Sequence, residues 1–444
     1  MVPIRLPMLL TVLGLFTASS LFAQNNNNFN NPGGIRIDAG GVVSVLAPAR
    51  ESAAAAKKRQ QAFLTANLTE DLSKSTDTRR VSLKQLDQQL AELVRDGKEI
   101  PLELRYLAGI TRIEEVIVDR EAADLSILGP AEGFAPDLYG RMRGITTGRP
   151  VLNLEDLLVA WRTVQSGQTV VICSIDPTEE GIAAFKAYSS QNQVAATPAA
   201  IGQIFQTMAE RLGRQTITLT GVPRDSHFAM VLVEADLRMK RIALGKDPAG
   251  VRGVPSHLSL MRLGDASMTR WWFVPLYDPI GVNADRTRFE LSGQRLQLLG
   301  QDEYTNFQGQ RSVAASNRLG TTKFVKEFTD HIPQMVEVQP AFAELQNLFD
   351  WMVVCTLIQN QKLAAEIDWS PAVLGDAKSL PVATYPVPEG VDAVAATNKI
   401  GRTILGLVGG VELNVNNVVT HTAPLATERA QPIPAKHESR VWND

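Results

Sequence analysis

The densest group of side chains that could do chemistry lies between Asp225 and Gly245, in "DSHFAMVLVEADLRMKRIALG". It holds a histidine, His227, with Glu234 seven residues on and Arg238 four residues after that. A neutral imidazole beside a carboxylate is the pairing of a general base and its orienter. That chemistry would suit a hydrolase acting on a glycan or a peptide, with His227 assisted by Glu234 or a nearby carboxylate. His227 falls in the first turn of the expected helix, where the dipole favours the uncharged imidazole.

The same residues also describe a packed helix. At 100° per residue Phe228, Val231, Leu232, Ala235, Met239 and Ile242 share one face. Met230, Val233, Leu237 and Leu244 share the opposite one. One polar edge carries His227, Glu234, Arg238 and Arg241, and the other carries Asp236 and Lys240. A helix apolar on two faces is sandwiched between layers. Each buried large apolar side chain contributes roughly 1.5–3 kcal/mol, against about 0.3–0.5 kcal/mol for an i,i+4 pair such as Glu234–Arg238. Packing therefore decides where the helix goes, and the charges are expected to face solvent. Asp225 is the expected N-cap and Gly245 the stop.

The second group is aromatic: Trp271, Trp272, Phe273 and Tyr277, followed by Asp278. In a strand Trp271 and Phe273 face one way and Trp272 the other. An exposed indole near Asp278 or Asp285 could stack on a sugar and bond its hydroxyls. Core packing explains the same residues. Beyond these, no zinc, P-loop, dinucleotide or nucleophile-elbow motif occurs. The five histidines, 227, 257, 331, 421 and 437, have no ligand-like spacing, although His227 and His257 could meet in space. No cofactor and no metal are expected.

These groups must be held by a chain of 444 residues, 44% hydrophobic, with 44 basic and 47 acidic residues. A net charge of -3 gives no chain-wide field for nucleic acid. Residues 1–23, "MVPIRLPMLLTVLGLFTASSLFA", order a basic n-region, an apolar run and small residues before Gln24. That is the pattern of a secretory signal peptide, so the expected location is the periplasm, the envelope or the exterior. No later segment is expected to span a bilayer. Cys173 in "TVVICSID" and Cys355 in "WMVVCTLI" sit in apolar surroundings. Export permits a disulfide, and such surroundings equally suit free thiols.

Pattern divides the rest. Residues 24–81 read as a polar leader, a short hairpin at "IRIDAGGVVSV", a surface helix and a linker. Residues 82–250 read as an α/β core. It has a helix capped by Ser82, two β runs in "RIEEVIVDREAADLSILG", a helix capped by Asn153, and "TVVICSID" as a strand buried on both faces. A helix capped by Asp176 with Pro177 at its first position follows, then one opened by Thr197 and Pro198, and a strand at "TITLTGV". Residues 251–317 are β-rich and 318–370 helical; 371–444 hold a short strand at "GLVGGVELNVN" and a loose tail. The fold class is α+β, a mixed sheet with packed helices.

The stretches "LRYLAGITRIEEVIVD", "ILGPAEGF", "GRPVLNLEDLLVAWR", "CSIDPTEEGI", "FELSGQRLQLL" and "FAELQNLFDWMVV", with the His227 segment, span roughly Leu104 to Val354. Through them the chain resembles large exported proteins of unknown function from planctomycete bacteria. The resemblance implies lineage and export, and no activity or cofactor. The combined expectation is a non-catalytic interaction or scaffolding protein whose partner is an envelope protein or glycan.

Overall fold

The computed structural model describes residues 34–46, 51–191, 198–262, 268–394, 396–398, 402–404, 408–425 and 440–444. The expected signal peptide, Thr197 and His437 lie outside them. The chain is α+β with mixed sheets, as its alternating patterns imply.

The first elements are a hairpin, β1 (Ile35–Ile37) and β2 (Val43–Val45), turned by Asp38, whose carboxylate accepts from the Gly40 and Val42 N–H groups. Helices α1 (Ala53–Asn67) and α2 (Glu70–Ser73) follow, capped by the Ser52 and Thr69 hydroxyls. Where a linker was expected, β3 (Thr76–Ser82) is a strand with Thr78 to Ser82 buried. Its adjacent arginines look solvent-facing in sequence. Arg80 is instead paired with Asp124, and Arg79 with Asp444, so burial leaves neither charge alone.

Ser82 then caps α3 (Leu83–Arg95) by accepting from the Gln85 N–H, as its sequence pattern predicts. After α4 (Leu102–Arg105) come the hairpin β4 (Glu115–Asp119) and β5 (Asp124–Ala131), then β6 (Phe134–Pro136) and β7 (Met142–Gly144). Asn153 caps α5 (Leu154–Gln165), and β8 (Val170–Asp176) follows. β8 is fully buried on one face, with Val171, Cys173 and Ile175 inside, and only partly on the other, where Ser174 is buried while Ile172 is 37% exposed. The cap of α6 (Glu179–Gln191) is Thr178, whose hydroxyl accepts from the Gly181 N–H at 3.0 Å. Asp176 ends the strand instead and pairs with Arg311. Helix α7 (Pro198–Leu212) packs on α6, and β9 (Arg214–Thr220) returns beside β8.

Next is α8 (His227–Ala243), capped by Ser226 rather than Asp225, with Gly245 in the left-handed region at φ 67° just past its end. Then come α9 (His257–Leu260) and the strands β10 (Met268–Leu276), β11 (Ile280–Val282), β12 (Arg288–Glu290), β13 (Arg295–Thr305) and β14 (Arg311–Val313). Helices α10 (Leu319–Val338), α11 (Pro340–Asn360) and α12 (Leu363–Glu366) form the helical stretch. The last elements are β15 (Gly390–Asp392), β16 (Ala396–Asn398), β17 (Arg402–Ile404), β18 (Val408–Asn414), α13 (Asn416–Val419), β19 (Thr422–Pro424) and β20 (Trp442–Asn443).

One sheet runs β14-β13-β10-β18-β8-β9-β15 and the other β19-β11-β12-β4-β5-β3-β20. The expected short strand is β18, which lies between β10 and β8, and the expected loose tail also supplies strands, β19 beside β11 and β20 beside β3. Helix α8 packs on β8, β18 and β10, with α5 and α11 against it. Helix α11 is long and apolar enough to cross a membrane by length and composition, contrary to expectation, yet its apolar stretch lies wholly inside the protein. Cys173 and Cys355 are free and buried.

Candidate functional site

Both apolar faces of α8 are buried, as the wheel requires. Its polar edges reach solvent only in part, at Arg238 and Arg241. Glu234, Asp236 and Lys240 are no more than 1% exposed. With a sheet on one side and helices α5 and α11 against it, little of the helix circumference is left for water. A charge so placed must be paired or neutralised. Asp236 pairs with Lys240 at 2.7 Å, and Lys240 also donates to the Ile175 carbonyl at 3.1 Å. Burial pushes the Asp236 carboxyl up to about 6, against the pull of Lys240.

Glu234 does not orient His227. Its two oxygens accept from the Gly34 N–H, both at 3.1 Å, and Oε2 takes Arg141 at 2.7 Å. Arg141 in turn holds Glu344 of α11 at 2.8 Å. Arg238 stands 3.6 Å from Glu234 and pairs with Asp247 nearer the surface. Burial lowers the proton affinity of Arg141, but Glu234 and Glu344 more than offset it and the guanidinium stays charged. Burial raises Glu344 to about 7, although Arg141 and His227 oppose the shift.

His227 is oriented by Asp156, from the first turn of α5: Nδ1 lies 2.9 and 3.1 Å from the two carboxylate oxygens. The Tyr385 ring lies 6.0 Å away, and its hydroxyl donates to Glu155 at 3.1 Å. Burial alone would favour neutral imidazole. Asp156, Glu344 and Glu155 overcome it and raise His227 to about 9. The expected dipole effect is thus outweighed, because the Asp156 carboxylate touches the ring and Glu344 and Glu155 add to its pull. The imidazolium side chain is 14% exposed, and Nε2 has no hydrogen-bond partner among the described residues. Such a group holds a proton at neutral pH. It can donate one or attract an anion, but it is not poised as a base.

Sequence reasoning missed Arg141, Glu155, Asp156, Glu344 and Tyr385. The available signal was "NLED" at 153–156, two acids in the first turn of a helix, which reads first as complementing the dipole.

The aromatic group does not form a platform. Trp271 packs edge-on to His257 and Phe324, and Phe273 against Phe328 and Phe342, all in the core. Trp272 looks the other way, half-buried, with the Arg270 guanidinium 5.8 Å from its ring. The Tyr277 hydroxyl points inward to Asp350 at 2.7 Å. Asp278 stays by Ser292, and the Asp285 carbonyl takes Arg120. His257 bonds Thr321, so the two histidines belong to different neighbourhoods. Among the described residues no group of three or more His, Cys, Asp or Glu could hold a metal ion.

Residues 173–257 are similar to a family described as a protein of unknown function (DUF1598). The matched stretch runs from Cys173 in β8 through α8 to His257. No curated protein and no solved structure matches the chain.

Proposed function

We propose that the chain is an exported, non-catalytic interaction protein of the periplasm or cell envelope, and that its partner is an envelope protein. Export rests on the order of residues 1–23. The interaction role rests on the free edge of the first sheet. Its other edge, β15, is covered by the N-terminal hairpin, where Val42 bridges Gly390. At β14 all three residues are exposed, and no described strand lies outside it. Tyr304, Phe307, Val313 and Leu319, each more than half exposed, stand in the same stretch of chain. Open edges are ordinarily blunted by charge, proline or cover. The Asn306 N–H to Gln310 carbonyl and Ala314 N–H to Asp302 carbonyl bonds set the alternation, so Ser312 faces β13 and the Arg311 and Val313 N–H groups face outward. An extended partner segment would pair with those groups and cover Val313.

A second reading has one observation behind it, the anchoring of His227 on Asp156. In that reading the chain is a glycan- or peptide-acting hydrolase with His227 as acid and Asp156, not Glu234, as orienter. The two are separated by a photo-crosslinking residue placed beside Val313 in cells carrying the exported protein. The interaction reading expects a discrete crosslinked envelope protein that disappears with Val313→Lys and persists with His227→Ala. Turnover of cell-wall glycan or peptide by the purified chain, lost in His227→Ala, would sink it.

A further inference from the structure

A cavity of about 380 Å³ opens between the approach to β4, the β12–β13 turn and helices α10 and α11. That volume is within the range of small-molecule sites. Three arginines reach it from separate parts of the chain: Arg112 ahead of β4, Arg149 ahead of α5, and Arg295 at the start of β13. Each has an acidic partner, and Arg149 and Arg295 are also buried. Arg112 is held by Glu114 at 2.6 Å. Arg149 pairs with Glu337 and donates to Gln346 at 2.9 Å. Arg295 pairs with Asp350, the acceptor of the Tyr277 hydroxyl, and donates to the Leu291 carbonyl at 3.1 Å.

The backbone carrying Arg295 is strained. Arg295 is a non-glycine residue in the left-handed region at φ 70°, two positions after Gly293 at φ 92°. A Cβ on Gly293 would lie 2.6 Å from the Asp278 nitrogen. Strain of this kind gathers at ligand sites, where the surroundings hold it. Burial and the neighbouring guanidiniums press the proton affinities of Arg112 and Arg149 down. Arg149 Nε is buried with no hydrogen-bond partner. Converging guanidiniums with spare N–H groups are relieved by an oxyanion placed among them.

The wall is not uniformly basic. Glu114, Glu115, Glu290 and Glu337 also line it, and the half-buried Glu290 carboxylate has no partner among the described residues. Three cations against four carboxylates disfavour a bare polyanion and suit a ligand that carries both signs. We infer that this cavity binds a small zwitterion, with its carboxylate on Arg112, Arg149 and Arg295 and its ammonium on Glu290.

Titration calorimetry of the purified chain with 4-aminobutyrate, butyrate and butylamine tests this. The zwitterion should bind about tenfold or more tighter than either single-charge probe, the difference expected of one additional charge-assisted contact. Glu290→Gln should reduce 4-aminobutyrate to the affinity of butyrate while leaving the melt unchanged. Arg149→Gln should remove binding of both carboxylates. Because that variant breaks a buried pair and can unfold, the Glu290 arm decides. Butyrate binding as tightly as 4-aminobutyrate, no binding by 4-aminobutyrate, or a silent Glu290→Gln would each overturn the inference. The inference does not rest on the partner edge: Arg295 begins β13, and β14 pairs with that strand's far end.

Discussion

Glu234→Ala tests most directly whether the polar edge of α8 is a solvated fringe or part of the core. On an exposed edge the loss would be under about 1 kcal/mol. In the structure Glu234 is enclosed, and its removal strands Arg141, whose side chain is 6% exposed, with Glu344 alone. Removing one member of a buried pair costs about 3–5 kcal/mol, because the remaining charge has already lost its water. The Gly34 N–H also loses both its acceptors. That adds to the same disruption rather than as an independent sum. The expected loss therefore matches or exceeds that of Leu232→Ala on the fully buried apolar face, about 2–5 kcal/mol. Guanidinium melts of the two variants, with Arg241→Ala as a half-exposed control, give the comparison. Replacing Arg141, Glu234 and Glu344 together by Met, Leu and Leu should recover most of the loss, since no uncompensated charge is then left. A Glu234→Ala midpoint indistinguishable from wild type would refute the buried network.

Stability should fall as pH rises. Asp236, Glu344 and His227 all have folded values above their ordinary ones, at about 6, 7 and 9. The folded state thus holds more protons than the unfolded state, and each contribution is lost between the ordinary and the folded value. The carboxyls act between about pH 4 and 7. His227 acts between about pH 6.5 and 9 and contributes on the order of 3 kcal/mol. Thermal melts that stay flat or rise from pH 6.5 to 9 would contradict this, and His227→Gln should flatten that limb. Thr178→Ala should cost about 0.5–2 kcal/mol through the lost cap of α6, and Asp176→Ala less than about 1 kcal/mol, its pair with Arg311 being partly exposed; denaturant midpoints in the reverse order would restore Asp176 as the cap. Deleting residues 440–444 removes Asp444 from the fully buried Arg79 and should cost roughly 3 kcal/mol or more by the same midpoints.

What was legible in the sequence depended on short-range pattern. Helices α3, α5 and α8 and the β4–β5 hairpin follow from apolar pattern, α11 from its long helix-forming stretch, and the caps at Ser82 and Asn153 from residue type. Strand β3 was not legible. Its "TRRV" looks polar until Asp124 and Asp444 arrive, the latter 365 residues away. The partners of the candidate site were not legible for the same reason. A helical wheel shows Glu234 beside Arg238 at i,i+4, and that contact is a long 3.6 Å. The close partners come from 71 residues away for His227 and 93 for Glu234. Charge in a sequence signals solvent until a distant partner of opposite sign is known, so a periodicity argument assigns buried ion pairs to the surface.

The same distances bear on the stretch similar to the family of unknown function. Within residues 173–257 the Asp236–Lys240 pair is self-sufficient. His227 and Glu234 are not: Asp156, Arg141, Glu344 and Gly34 all lie outside it. Strands β8 and β9 pair with each other there, but β18, on the other side of β8, comes from near the end of the chain. Cut at those bounds, the segment would keep helices α6 to α8 and a two-stranded ribbon, with His227 facing no counter-charge and Glu234 left only its long contact with Arg238. The matched stretch is therefore the middle of a larger core. Its least replaceable positions are those where α8 meets the N-terminal hairpin, the β6–β7 turn, α5 and α11, because each supplies the charge or donor that makes burial of the others tolerable.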